Sequence, residues 1–265
     1  QLGGFFSGTV GNIIRGNYIG LNATGTGPLS NTQQGISIND AVNNTIGGTQ
    51  SEAGNKIAFN GGPGIAMVTG AGNSIRGNSI FSNSGLGIDL GANDVTPNDG
   101  TDGDTGPNQL QNFPLISGAM STSNSTTIQG SLKSIPNTTF QVDFYSNATV
   151  DPSGNGEGAQ FFGTASVNTD VNGDANINVT LPVALAAGRV ITATATDPNG
   201  NTSEFSAGDV SGAVGSLQFT ANAIAAIEDV GTLSVTVVRT GGTAARSSRG
   251  SLPSIPCDRA GAAHP

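Results

Sequence analysis

Over the first ninety residues the apolar positions fall in short triplets, and each triplet is bounded by Gly or Asn. No window holds the 3.6-residue spacing of an amphipathic helix, and short period-two runs between turn residues predict strands. Three motifs recur. Asn12-Ile13-Ile14, Asn44-Thr45-Ile46 and Asn73-Ser74-Ile75 read N-x-I. Gly16-Asn17-Tyr18-Ile19, Gly54-Asn55-Lys56-Ile57 and Gly77-Asn78-Ser79-Ile80 read G-N-x-I. Gly35-Ile36-Ser37-Ile38, Gly64-Ile65-Ala66-Met67 and Gly87-Ile88-Asp89-Leu90 read G-I-x followed by Ile, Met or Leu. Asn55 and Asn78 are 23 residues apart, as are Ile65 and Ile88, whereas Asn44 and Asn73 are 29 apart. The excess falls in the polar stretch 49–53, which reads as a loop insertion.

A repeat of this length with three short strands predicts one coil of a parallel β-helix. Each strand points an Ile or Leu inward, and the next coil stacks ~4.8 Å above it. Asn at the bends is expected to bond its equivalent in the next coil, and Gly supplies positive φ at the corners. On these motifs, residues 1 to about 92 resemble the right-handed parallel β-helix repeats of the pectate-lyase-like superfamily, with about three to four coils.

From Phe113 the period lengthens into longer strands. Phe140, Val142 and Phe144 alternate with Gln141, Asp143 and Tyr145, which predicts a half-buried strand. Strand-like runs recur at 126–132, 138–146, 159–167, 175–181, 189–196 and 203–207, separated by turns such as Asn172-Gly173 and Pro198-Asn199-Gly200. This spacing predicts a two-sheet sandwich over 113–210. The stretch 190–206 resembles the last strands of bacterial immunoglobulin-like modules, which act as spacers. Asp197, Asn199 and Asn201 read as a turn. Residues 215–242 resemble the opening two strands of a Calx-beta domain, in which Glu228 and Asp229 would stand near a calcium position. At 243–265 the alternation ends, and this tail is expected to be disordered and out of frame with what precedes it.

Composition sharpens this all-β reading. Gly accounts for 41 of 265 residues, about twice its usual share, while Lys occurs twice and Trp never. The formal charge is −9, and three of the nine basic residues (Arg246, Arg249, Arg259) lie in the tail. An acidic surface repels phosphate backbones, so nucleic acid is not an expected partner. There is no apolar run of ~20 residues to predict membrane insertion. The single cysteine, Cys257, has no disulfide partner in the chain. The chain opens mid-repeat at Gln1-Leu2, so it reads as an internal piece of a larger protein whose targeting signal lies elsewhere.

The chemistry-bearing residues are few. The repeat region holds Arg15, Lys56 and Arg76 with Asp40, Glu52 and Asp89, and the only His, His264, lies in the tail. Arg15 and Arg76 share the slot N-x-I-R-G-N and so fall on one face. They read as solvent-facing, with a grip on acidic glycan as the sharper alternative. Asp89 is expected to face outward with no carboxylate in the matching slots, where Ser37 and Ala66 stand. The superfamily resemblance implies a polysaccharide lyase or glycoside hydrolase, but the paired carboxylates that such chemistry needs have no visible partner here. The acidic connector 93–112 holds Asp94, Asp99, Asp102 and Asp104 within eleven residues, a candidate calcium site in a segment that otherwise reads as a cap on the stack.

The expectation is therefore a non-catalytic structural or adhesive segment of a large extracellular or cell-surface bacterial protein. It would contact polysaccharide or a cell-surface glycan, with calcium as its one candidate cofactor. Five parts are expected: repeats 1–92, connector 93–112, immunoglobulin-like sandwich 113–210, partial Calx-beta module 215–242 and tail 243–265.

Overall fold

The computed structural model describes residues 5–6, 10–213, 216–219 and 237–240. The chain is all-β, and there is no α-helix among those residues. The Ile triplets form very short strands: β1 (Phe5–Phe6), β2 (Ile13–Ile14), β3 (Tyr18–Ile19), β4 (Ile36–Ile38), β5 (Thr45–Gly47), β6 (Lys56–Ala58), β7 (Ile65–Met67), β8 (Ser74–Arg76), β9 (Ser79–Phe81) and β10 (Ile88–Leu90). Each pairs in parallel with the strand three places on, giving three sheets ordered β1-β4-β7-β10, β2-β5-β8 and β3-β6-β9. The chain visits the three sheets in turn and returns to the first; one such passage is a circuit.

The register places like on like. Ile46 lies opposite Ile75, Ile57 opposite Ile80, and Ile36, Ile65 and Ile88 form one row. All seven are at most 3% exposed. Burying each contributes roughly 1.5–3 kcal/mol.

Three asparagine ladders hold the corners. Asn12 donates its backbone N–H and Nδ2 to Asn44 Oδ1, and Asn44 does the same to Asn73. Asn17, Asn55 and Asn78 repeat this arrangement. A third ladder, Asn31, Asn60 and Asn83, stands four residues before Gly35, Gly64 and Gly87 of the G-I-x motifs, a slot that the three sequence motifs do not include. The circuits are too close at these corners for side chains. At Gly47 (φ 85°) a Cβ would sit 2.3 Å from both Arg76 O and Asn78 Oδ1.

The second unit consists of β11 (Leu115–Ser121), β12 (Thr126–Lys133), β13 (Thr139–Asn147), β14 (Gln160–Asn168), β15 (Asp174–Leu181), β16 (Val190–Thr196), β17 (Asp209–Val210) and β18 (Gly212–Ala213). They form two four-stranded sheets, β15-β12-β11-β18 and β14-β13-β16-β17, around a shared core that includes Ile128, Phe140, Phe144, Ile177 and Ile191.

Three details differ from expectation. β11 forms where the sequence shows no clean alternation, because β12 pairs with it across a register shift between Ile116 and Gly118. Residues 203–206 form no strand; all four are buried, with Ser203 and Ser206 bonded to Ala195 N and Ala193 N of β16 while Glu204 and Phe205 turn toward the first unit. β13 is not half-buried, since Asp143 and Tyr145 on its second face are 0% and 1% exposed. That face packs on the last circuit.

β19 (Ser216–Phe219) and β20 (Val237–Thr240) pair antiparallel, as the first two strands expected after residue 215 would. The acids Glu228 and Asp229 and the tail 243–265 lie outside the described residues.

Candidate functional site

A stack of parallel strands ends in a row of N–H and C=O groups with no next circuit to pair them, and such an edge invites uncontrolled pairing. Here the second unit receives them. Gly72 N donates to Asn201 Oδ1 at 2.7 Å, Ile75 N to Thr202 Oγ1 at 3.0 Å and Gly77 N to the Tyr145 hydroxyl at 3.0 Å. Ile80 and Gly158 exchange reciprocal backbone bonds of 2.8 and 2.9 Å. Leu90 N and Thr96 N donate to the two oxygens of Glu204 at 2.9 and 3.0 Å.

The ladders are continued by foreign side chains. Asn108 Oδ1 accepts from Asn73 N at 3.0 Å, extending the first ladder by one rung, while its Nδ2 bonds Asn73 O and Thr202 O. Asn108 lies in the short turn Pro107–Leu110, with φ 47° and ψ 32°. Glu157 stands in for an Asn at the end of the third ladder. Its Oε1 accepts both Asn83 N and Asn83 Nδ2, as an Asn Oδ1 does elsewhere, and its Oε2 accepts Ser82 N.

The apolar interior is closed in the same way. Phe205 and Tyr145 join the core of the stack and meet edge to face at 5.1 Å. Phe205 lies over Gly87, where a Cβ would come within 2.8 Å of its ring.

One ion pair fixes the docking. Arg76 Nε and Nη2 bond the two Asp143 oxygens at 2.9 and 2.7 Å, and Nη2 also reaches Thr164. Arg76 is therefore not part of an outward basic row. Burial works against its charge, but the Asp143 carboxylate more than offsets this and leaves the guanidinium pKa raised. Arg15, in the same slot two circuits back, is exposed and donates Nε to Gly47 O. Arg15 and Arg76 thus end in different surroundings despite their shared slot.

The junction also gathers buried acids. Burial raises the Glu204 carboxyl to about 7, against the pull of the Leu90 and Thr96 N–H groups. Burial raises Glu157 as well. Asp89 is not outward-facing: it is 5% exposed, because the connector folds over it and Asn93 N donates to its Oδ1. Burial raises its pKa, and its charge in turn raises that of Glu204. A carboxylate partner for Asp89 thus exists in the other unit. Glu204 is only 2% exposed, however, and both of its oxygens serve as backbone acceptors.

The connector brings Asp99, Asp102 and Asp104 together, with one oxygen from each lying within 4.8 Å of the others. Asp94 stands apart from them and is exposed. Asp102 is buried and accepts from Asn112 N, Gln111 Nε2 and Ser134 Oγ, which ties the connector to the second unit. Burial raises Asp102 and Asp104, with the Asp99 charge adding to both. Asp99 has its pKa lowered despite some burial, by the N–H groups of Gly103, Asp102 and Thr101. Three hard oxygens at this separation are the donor type that calcium takes. At 197–201 the expected turn is present, with Asn201 N and Nδ2 on the Asp197 carboxylate.

No family model matches the chain, and no curated protein is similar to it.

Proposed function

We propose that this chain is the end of a right-handed parallel β-helix stalk, closed by an immunoglobulin-like sandwich, in a large secreted or surface-attached bacterial protein. On this reading it is a non-catalytic structural and adhesive segment that contacts polysaccharide or a cell-surface glycan. The observation that carries the reading is the treatment of the last circuit: its edge and its apolar bore are continued by groups of the second unit, and two of its three asparagine ladders are extended, one by Asn108 of the connector and one by Glu157 of the second unit. Such continuity makes the two units one stiff body, which suits a stalk.

The acids also favour the structural reading over the enzymatic one. A polysaccharide lyase or hydrolase would need a carboxylate free to move a proton. Glu157 and Glu204, the two buried glutamates at the junction, have both oxygens engaged. The connector carboxylates Asp99, Asp102 and Asp104 are assigned to calcium, which would relieve their mutual repulsion and lock the connector against Ser134 of the second unit. The experiment is a glycan panel scored separately for retention and for new chain ends. Retention without cleavage is expected, and cleavage would overturn the non-catalytic reading.

A further inference from the structure

The loop between β13 and β14 has two parts with different duties. Its later part is fixed to the last circuit by Glu157, by the Gly158–Ile80 pair and by Ala159 O, which accepts Ser79 Oγ at 2.7 Å. Its earlier part, residues 148–153, arches away and encloses a cavity of about 380 Å³ against the end of β9. Both units line this cavity, so it exists only in the docked molecule.

The lining combines two chemistries. Phe81 contributes a partly buried aromatic ring, held edge-on by Phe59 at 5.7 Å, with Val150 and Pro152 as further apolar surface. Asp151 contributes a carboxylate whose Oδ1 is fixed by Ser153 N and Oγ at 2.9 and 2.5 Å. Among the described residues its Oδ2, Ser82 Oγ and Thr149 Oγ1 have no hydrogen-bond partner. A pocket of this size with an apolar wall and a few convergent polar atoms suits a small organic ring.

Charge narrows the class. Asp151 and Glu157 both line the cavity, and among the described residues no Lys, Arg or His does. A uronate, sulfate or phosphate would meet an uncompensated negative field. A neutral pyranose meets none, and it carries an apolar C–H face for Phe81 and hydroxyl donors for Asp151.

We infer that this junction cavity is a binding subsite for a neutral hexopyranose unit, formed jointly by Phe81 of the last circuit and Asp151 of the second unit. The inference deepens the glycan-contacting part of the reading above and rests on it. It separates this chain from the acidic glycan that a shared face of Arg15 and Arg76 would suggest.

The test is calorimetric titration of the full chain at neutral pH with cellobiose, maltose and digalacturonate as probes. Saturable binding of at least one neutral disaccharide is expected, with none for digalacturonate. Phe81→Ala and Asp151→Asn should each weaken it about tenfold or more. Thr149→Trp, at an exposed position away from the docking contacts, should block it while leaving the melting temperature unchanged. Absence of neutral-sugar binding, or digalacturonate binding of equal strength, would overturn the inference. So would neutral-sugar binding undiminished in all three variants, although a glycan contact elsewhere on the chain would then survive. None of these binding outcomes depends on the bonds that cap the stack, so failure here leaves the capping account standing.

Discussion

Asp143→Ala is the perturbation whose consequence the structure defines most sharply. Asp143 is 0% exposed, and its partner Arg76 retains only 20% of its side-chain exposure. Removing the carboxylate leaves a guanidinium at the junction with Thr164 Oγ1 as its remaining side-chain partner. Breaking a buried pair from one side costs about 3–5 kcal/mol, because the surviving charge stays desolvated. The residual exposure of Arg76 lets water relieve part of that, so about 3 kcal/mol is expected.

The double variant Arg76→Met, Asp143→Val removes both charges and keeps apolar volume. Its stability should lie within about 1 kcal/mol of the parent or above it. The assay is urea denaturation followed by circular dichroism, with the slope compared across variants to confirm that the same surface unfolds. If Asp143→Ala costs less than about 1 kcal/mol, or the double variant is the worse of the two, the pair is not what fixes the docking.

Three further outcomes follow. Ile80→Ala should cost ~2–5 kcal/mol, since Ile80 is 1% exposed and stacked on Ile57; an unchanged melting temperature would contradict the stacking. Glu204 titrates near 7 when folded, above its ordinary 4.5, so its stabilising contribution is full below about pH 4.5 and is lost as pH rises through 7. The raised carboxyls of Asp89, Asp102 and Glu157 act in the same direction. The chain should therefore melt higher at pH 5 than at pH 8, with the difference reduced in Glu204→Gln; a higher melting temperature at pH 8 would refute this. Calcium at a hundredfold excess over its dissociation constant should add about 2.7 kcal/mol of stability, lost in Asp102→Asn with Asp104→Asn; calorimetry without binding at millimolar calcium would remove that assignment.

The repeat was legible because it is periodic. Ile57 and Ile80, or Asn55 and Asn78, announce themselves by a shared slot 23 residues apart, and the structure places them in register. The third ladder is just as periodic, since Asn31, Asn60 and Asn83 each stand four residues before the Gly of a G-I-x motif, but the variable residues between them, TQQ, GGP and SGL, hide the slot. The capping residues were illegible for a different reason. Glu157 lies 74 residues from Asn83 and Glu204 lies 114 from Leu90, and each occurs once. Their role depends on one unit docking on another, which leaves no period in the sequence. Asp143 and Tyr145 misled for the same cause: alternation finds one buried face of a strand, but it cannot tell a solvent face from a face that docks. In the connector, sequence proximity grouped four aspartates, whereas the fold groups three and leaves Asp94 outside.

The capping of the stack can be read amide by amide. Hydrogen exchange on the full chain reports whether the N–H groups of Asn73, Ile75, Gly77, Asn83 and Leu90 are bonded at the edge or open to water. The account predicts that they exchange as slowly as Thr45, Lys56 and Ser74 inside the stack, and that Glu157→Ala speeds exchange at Ser82 and Asn83 in particular. Rapid exchange along the whole terminal edge in the parent chain, with the interior circuits protected, would mean that the second unit does not cap the stack.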